Sequence, residues 1–339
     1  MTKRIGFACK YVAPGKKEPE SVPELNTRTT TVAWLKRQTR EVAEQRLWDI
    51  MEHNIAAIRA LVVTVGSLDP ELRMVRLSSD ILPVYTEPTY SYFWQQQYVK
   101  TYCERAFAEV GRIARAMDVR LSFHPGQFCV LASDNDNIVN RSIEEFEYHV
   151  DMARYMGYGK EWHDHGFKIN VHISGRRGPS GIVAVLPRLS TEARNLITIE
   201  NEENKYGLDA CLELAGHVAI VMDLHHHWCN TGDYISRMDP RVDRVIESWR
   251  GVRPVLHYSV SREDVLQAHR IDERPNFSGC LESGHKKQKL RAHSDYMWNT
   301  AVNQYAGEFW DQFDIMVESK AKNLASFALY KELTDATKN

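Results

Sequence analysis

Residues 196–201, L-I-T-I-E-N, and residues 218–226, V-A-I-V-M-D-L-H-H, decide how this chain is read. Each is a short apolar run that ends abruptly in a carboxylate, Glu200 in one and Asp223 in the other. Continuous apolar runs of this length suit strands buried on both faces, as in a parallel sheet covered by helices. A carboxylate at the tip of such a strand is costly to bury unless it is paired or coordinated. The construction recurs: His124 closes L-S-F-H-P, His172 sits in K-I-N-V-H-I-S, His257 in V-L-H-Y, and Glu318 ends I-M-V-E-S. Strand tips bearing imidazole or carboxylate, one after another, describe a metal-lined pit at one end of a barrel.

Working outward, strand-like runs cover residues 4–9, 74–79, 120–124, 167–174, 196–201, 218–224, 254–259 and 313–318. Helical patterns lie near 32–65, 92–117, 139–157, 182–194, 207–215, 239–249, 295–304 and 322–334. The first of these predicts one long helix from Val32 to about Val65, with Leu35, Leu47, Ile50, Met51, Ile55, Ile58 and Leu61 at helical spacing. Strands alternating with helices argue for an α/β fold with crossover connections. No Gly-rich phosphate loop follows the first strand, which favours a single (β/α)8 TIM barrel over a doubly wound sheet. One domain over residues 1–339 is expected. Two segments break the rhythm, a Pro-rich stretch at 11–31 and a polar insertion at 261–292. They are long βα loops after strands 1 and 7, on the face that carries active sites in this fold.

Hydrophobic content of 43% and charged content of 26% over 339 residues are ordinary globular values, so a sizeable core can form. A net charge of −2 excludes a global polycation, so a polyanion would have to be held by local patches or metals. Cys9, Cys103, Cys129, Cys211, Cys229 and Cys280 are scattered, without a C-x-x-C pair, and read as reduced thiols. With no signal-like N-terminus and no apolar stretch of about 18 residues, a soluble, cytoplasmic chain with no membrane partner is expected.

A lone strand-end histidine is more often a hydrogen-bonded core residue than a ligand, but the joint pattern has no structural explanation of that kind. Asp223 ends its strand, and His226 can fold back over the same pit from the following loop. With His124, His172, Glu200, His257, His293 and Glu318 they are too many for one ion of four to six ligands. Two or three divalent ions sharing carboxylate bridges are expected. Imidazole with carboxylate suits zinc, manganese or iron. Clustered ions suit phosphoryl chemistry, because one can activate water while another stabilises the leaving oxygen. Of His225, His226 and His227, only one or two can face the pit. His226 is taken as the ligand, and His227 as a supporting or substrate-facing residue. His53, His149, His163, His165, His217, His269 and His285 lie on helices or polar loops and are expected to be solvated.

In His124-Pro125-Gly126-Gln127-Phe128, Pro and Gly turn the chain and would thrust Gln127 and Phe128 outward at the mouth of the pit. An exposed aromatic beside an amide could wedge into a base stack and replace a displaced base's partners. Lys286, Lys287, Lys289, Arg291, Arg176 and Arg177 add positive charge on the same face, where phosphates would need it.

L-S-F-H-P-G-Q-F, V-H-I-S-G, I-E-N-E-E, V-M-D-L-H-H-H, L-H-Y-S, I-M-V-E-S-K and R-L-S-S-D-I-L-P resemble, in order and context, the UV damage endonucleases. The resemblance runs from Ile5 to about Lys322 and implies a TIM barrel related to the endonuclease IV group. It also implies a manganese-dependent DNA repair enzyme, with zinc as the alternative metal. Such an enzyme nicks duplex DNA immediately 5′ to cyclobutane dimers, 6-4 photoproducts and some abasic sites, leaving a 3′-hydroxyl and a 5′-phosphate. Carried onto this chain, the metal ligands would be His124, His172, Glu200, Asp223, His226, His257, His293 and Glu318. Glu200, Asp223, His257 and Glu318 would carry catalysis. Gln127 and Phe128 match the pair that probes the duplex opposite an extruded lesion, Phe7 an aromatic of the lesion pocket, and Lys320 a phosphate contact.

Two positions depart from the family pattern. Val255 stands where some members have a carboxylated Lys, and Asp80 stands where some have a ligand-like His, which makes the Asp80 carboxylate a further candidate metal ligand. A monomer acting on UV-damaged duplex DNA is expected. The competing readings are an apurinic endonuclease, a metal-dependent sugar isomerase or epimerase of related fold, and a lesion-binding protein without catalysis.

Overall fold

The structure is a computed structural model describing residues 2–16, 18–266 and 269–336, so Met1, Lys17, 267–268 and 337–339 of the expected domain lie outside the described residues. Eight parallel strands close into a barrel: β1 (Ile5–Ala8), β2 (Met74–Arg76), β3 (Arg120–Phe123), β4 (Lys168–His172), β5 (Ile197–Glu200), β6 (Ala219–Asp223), β7 (Val255–Tyr258) and β8 (Asp314–Val317). Each strand pairs with its sequence neighbours, and β1 closes the ring by pairing with both β2 and β8. Every strand expected from the sequence is present, and the α/β barrel is the fold observed.

Strand alternation sorts the side chains into two sets. Outward positions such as Phe7, Val75, Leu121, Ile169, Ile199, Ile220, Leu256 and Ile315 are fully buried under the surrounding helices. Inward positions are layered along the barrel axis. At the amino-terminal end Asp314 accepts from Arg120 (2.8 Å) and Arg253 (2.7 Å), a buried charged plug. Above it Met74, Ala219, Val221, Val255 and Met316 form an apolar layer with Trp249. Gly6 belongs to this interior because an added Cβ would lie 2.7 Å from the Met74 carbonyl oxygen. The carboxyl ends of the strands carry the polar layer.

The helices depart from expectation at the first one. It divides into Val32–Leu35 and Arg40–Gly66, because Thr39 turns extended and its hydroxyl accepts from Val42 N as an N-cap. His225–His227 lie on a short helix, Leu224–Thr231, started by Asp223 as its N-cap.

Described residues of both long loops make specific contacts with the barrel. The Pro-rich loop contains a small hairpin, Val12–Ala13 with Glu20–Ser21, and Asn323 hydrogen-bonds both backbone groups of Val12. The 261–292 insertion packs Leu266, Phe277, Cys280 and Leu290 against Trp228 and Cys229. His225 fastens its return, facing Ser259 Oγ (2.9 Å) with one ring nitrogen and the Leu290 carbonyl (3.1 Å) with the other.

Two histidines expected to be solvated are in the core instead. His149 packs edge-on against Phe123 and Tyr148, with Nδ1 2.7 Å from the Glu145 carbonyl oxygen. His163 lies between Trp162 and Trp249, with Nδ1 3.0 Å from the Phe167 carbonyl oxygen. Their flanking sequence is polar, but tertiary packing turns the rings inward. Burial pushes His149 down from 6.5 to about 4 and His163 to about 3. The unfolded chain therefore takes up protons that the native state refuses, and stability present above pH 6.5 is lost as the pH falls toward those values. Denaturation midpoints measured from pH 7 to 4 should drop, and His149→Phe should flatten part of that drop.

Candidate metal centre

The register of the barrel brings the strand tips together. His172 and Glu200 are Cα partners across β4 and β5, and Asp223 and His257 across β6 and β7. At the centre Glu200 is fully buried, with Oε2 3.1 Å from His257 Nδ1 and 3.4 Å from His124 Nε2. His257 Nδ1 is also 3.3 Å from Glu318 Oε1, and the His124 and His172 rings are 4.9 Å apart. Three overlapping sets have ligand atoms within 4.8 Å of one another: His124, His257 and Glu318; His124, His172 and Glu200; Glu200, Asp223 and His257.

The donor set fits a hard-to-borderline divalent cation. Glu200 Oε1, Asp223 Oδ2 and His257 Nδ1 are buried without a hydrogen-bond partner, and each belongs to one of those sets. Orphaned polar atoms in a core are costly, and a cation between them would satisfy all three. Burial works to raise the Glu200 carboxyl, but the imidazoles of His257, His172, His124 and His226 outweigh it and hold Glu200 well below the usual carboxylate range. Burial lowers His124, His172, His257 and His293, keeping neutral the imidazoles a metal requires. Around Asp223 and His226 both groups are pushed up, Asp223 by burial beside Glu200, His226 against its burial by Asp223 and Glu200. The pair therefore retains a proton that a cation would displace.

His226 and His293 stand at the rim, their ring centroids 6.3 Å apart, with His293 Nδ1 3.9 Å from Glu318 Oε2. The sequence expectations for the eight ligands thus fall in one place, the inner six within the three sets. Asp80 does not join them. It is exposed, beyond the strand end, and lines a neighbouring cleft of about 920 Å³ with Glu144, Glu145, Arg141 and Tyr148. His227 points away from the pit, toward the charges of Asp209, Asp239 and Arg241. Phe7 does not line the opening either. Alternation puts Gly6 and Ala8 inside, and Phe7 is fully buried edge-on against Tyr11 and Phe327.

At the mouth, Gln127 and Phe128 project as expected, with Phe128 86% exposed. Lys286 is exposed and Lys287 half-buried. Arg176 is exposed and paired with Asp134 (3.1 Å), and Lys320 is exposed and paired with Asp295 (3.2 Å).

Sequence reasoning gave no role to three inward groups, although strand alternation already placed Asn170 on the face of His172. Arg76, the tip of β2, pairs with Glu318, and Asn170 donates to Glu200. Lys168 rises from lower in β4, fully buried, and its Nζ lies 3.2 Å from His257 Nε2. Val255 stays in the apolar layer, so the amine beside His257 comes from another strand. Only the β4 periodicity Lys168, Asn170, His172 could have signalled this, since these positions share one face.

Fold and site together define a (β/α)8-barrel protein with a candidate metal centre at the carboxyl ends of its strands. The family model described as UV-endonuclease UvdE matches residues 3–338, and the chain belongs to that family. A UV DNA damage endonuclease of Bacillus velezensis is 26% identical over 347 residues, covering 98% of this chain and 95% of the relative. One of Bacillus cereus is 24% identical over 320 residues, covering 91% and 89%. Among solved structures, SacUVDE superposes with a TM-score of 0.73 at 20% identity, covering 99% of this chain and 100% of the other. Endonuclease IV from Thermus thermophilus follows the same fold with a TM-score of 0.53 at 12% identity, covering 83% and 94%. Family membership carries UV-damage endonuclease activity in general terms, with DNA as the substrate polymer. No helix among the described residues is long and apolar enough to cross a membrane.

Lys168 supplies a test of the electrostatics. Burial pushes its amine down from 10.5 to about 7. Between those values the unfolded chain binds the extra proton, so stability rises with pH across that window. For metal-free protein, Lys168→Met should raise Tm at neutral pH, and the gain should shrink by pH 10; a pH-independent difference would contradict the assignment.

Proposed function

We propose that the protein is a divalent-metal-dependent repair endonuclease. On this reading it nicks duplex DNA immediately 5′ to cyclobutane dimers and 6-4 photoproducts, and also at abasic sites. The products are a 3′-hydroxyl and a 5′-phosphate. The observation that carries the proposal is the pairing of a buried imidazole–carboxylate nest with an exposed amide–aromatic pair at its rim. A small-molecule isomerase has no use for the second of these.

His124, His172, Glu200, Asp223, His226, His257, His293 and Glu318 would hold two or three ions, manganese foremost and zinc as the alternative. Bound there, the ions supply Lewis acidity at the phosphorus and lower the pKa of water. Glu200, between the His124 and His257 rings, would hold an ion together with either of them, and Arg76 and His257 orient Glu318. Asn170 orients Glu200 in turn. Lys320, Lys286, Lys287 and Arg176 would contact phosphates flanking the scissile bond, positioning the duplex without reading sequence. Phe128 would insert where the stack is already weakened, with Gln127 offering its amide to the unpaired bases opposite. Extrusion costs least at a lesion that stacks poorly, which gives selectivity for damage rather than for sequence. A single barrel acting as a monomer suffices, since one chain contributes every group named.

Purified protein with manganese should incise a UV-irradiated duplex and leave its undamaged counterpart intact, and excess chelator should stop the cut. A polymerase should extend the product if the 3′ end is a hydroxyl. Cutting of abasic duplex alone would make it an apurinic endonuclease, and epimerisation of a ketose without incision would place it among sugar isomerases. Glu200→Gln should abolish incision while damaged DNA still binds. Phe128→Ala should weaken binding to the irradiated duplex by about 1–3 kcal/mol, the range for loss of one aromatic–base stack.

A further inference from the structure

Beyond the tips of β1, β2 and β8 a group of donors is left without acceptors. The Lys322 side chain is half-buried, and its amine makes no hydrogen bond or ion pair among the described residues. Two residues earlier, Lys320 is exposed and paired with Asp295 instead. The Lys322 amine faces Cys9, Arg76, Glu318 and Lys10. Glu318, the carboxylate in that group, is held by Arg76 and turned toward His257 Nδ1 (3.3 Å). Arg76 keeps its Nε buried without a partner, and Ser319, 5% exposed, has its Oγ orphaned as well. The last helix, Lys322–Ala336, starts here with no acidic residue in its first turn to answer the positive end of its dipole. Burial pushes the Lys322 amine down, only partly offset by Cys9 and Glu318, and a bound anion would favour its charged form.

The backbone holds this arrangement under strain. Lys322 has a φ of 53° and Cys9 a φ of 69°, in the left-handed region that side chains with a Cβ rarely adopt. Both are clamped by their neighbours. Cys9 N donates to the Arg76 carbonyl (2.8 Å) and Lys10 N to the Ala8 carbonyl (2.9 Å). Ala321 N donates to the Asp295 carbonyl (3.0 Å), and the Asn323 side chain holds both backbone groups of Val12. Strain of this kind persists where the surroundings over-determine it, and it collects at functional sites. A glycine would sit at position 322 without strain, so the side chain, not the backbone, accounts for the lysine.

Resting on the endonuclease reading above, we propose that Lys322 is a catalytic residue whose amine contacts the phosphodiester being cut, in an anion subsite completed by Ser319 Oγ and Arg76 Nε. Glu318 belongs to an inner set with His124 and His257, so an anion between Lys322 and Arg76 lies against the nest and not out on the rim. The exposed lysines and Arg176 meet flanking phosphates, whereas Lys322 meets the one whose charge grows during the reaction.

The bland alternative is that the Lys322 stem merely covers apolar surface. Full-length protein, Mn2+ and a UV-irradiated duplex separate the two. Lys322→Met should lower kcat about 100–1,000-fold, the range for loss of one donor to a developing oxyanion, with KM little changed. Lys322→Arg keeps the charge and should recover part of the loss. Lys322→Gly should cut as poorly as Lys322→Met yet melt no lower than the unsubstituted protein, because the left-handed strain is relieved. The assignment is overturned if Lys322→Met cuts at the unsubstituted rate, or if its loss lies in KM and not in kcat. It is overturned as well if Lys322→Gly melts lower and Lys322→Arg restores nothing, the behaviour of a structural residue. In each of these cases the unsubstituted protein still cuts and the endonuclease reading stands. If the unsubstituted protein leaves the irradiated duplex uncut, that reading falls, and this inference with it.

Discussion

A carboxylate without solvent sits at the centre of this molecule, and the rest of the functional face follows from keeping it there. Glu200 is fully buried, so its charge must be balanced by groups the barrel brings to it. The imidazoles of His124, His172, His226 and His257, the Asn170 amide and an orphaned oxygen of Asp223 surround it, delivered by the ends of β3, β4, β6 and β7 and by the helix after β6. In a closed parallel barrel the strand carboxyl ends converge, so one short residue type per tip is enough to build a nest no single segment could form.

The interior below the nest keeps the tips in register. Charge at the amino-terminal end is neutralised by the Arg120–Asp314–Arg253 plug, an apolar layer follows, and polar groups are confined to the top. Lys168 reaches past the apolar layer, its amine meeting His257. Around the mouth, loops are pinned by buried side chains. Asn54 bonds the carbonyls of Arg28, Asp80 and Ile81, Tyr148 bonds the backbone at Ser79 and Leu82, and His225 bonds the end of the insertion. Beside the exposed Gln127 and Phe128, Cys129 N donates to the Gly126 carbonyl and Val130 N to Ser142 Oγ.

On the proposed function, damage recognition and bond cleavage would be divided between these two parts. The nest would offer coordination in a buried pit, where electrostatic interactions are strong. The rim offers an aromatic surface, an amide and scattered cations in solvent, where contacts with backbone phosphates are weak singly and additive together.

The chain alone determined the strands, their order and the polar residues at their tips that are the candidate ligands, because each rests on local chemistry: an apolar run, its period, and a polar residue at its tip. It also determined that Gln127 and Phe128 turn outward, since Pro125 and Gly126 bend the backbone there. What lies opposite what was decided only by closure of the barrel. Lys168 beside His257, Arg76 on Glu318 and Glu203 facing His226 join segments about 20 to 240 residues apart, and no local pattern encodes such pairings. Closure likewise turned Phe7 toward the helices, left Asp80 in the neighbouring cleft and drew His149 and His163 into the core. For a side chain near a strand end or on a helix, burial is a property of its neighbours in space, and those neighbours exist only once the ring is closed.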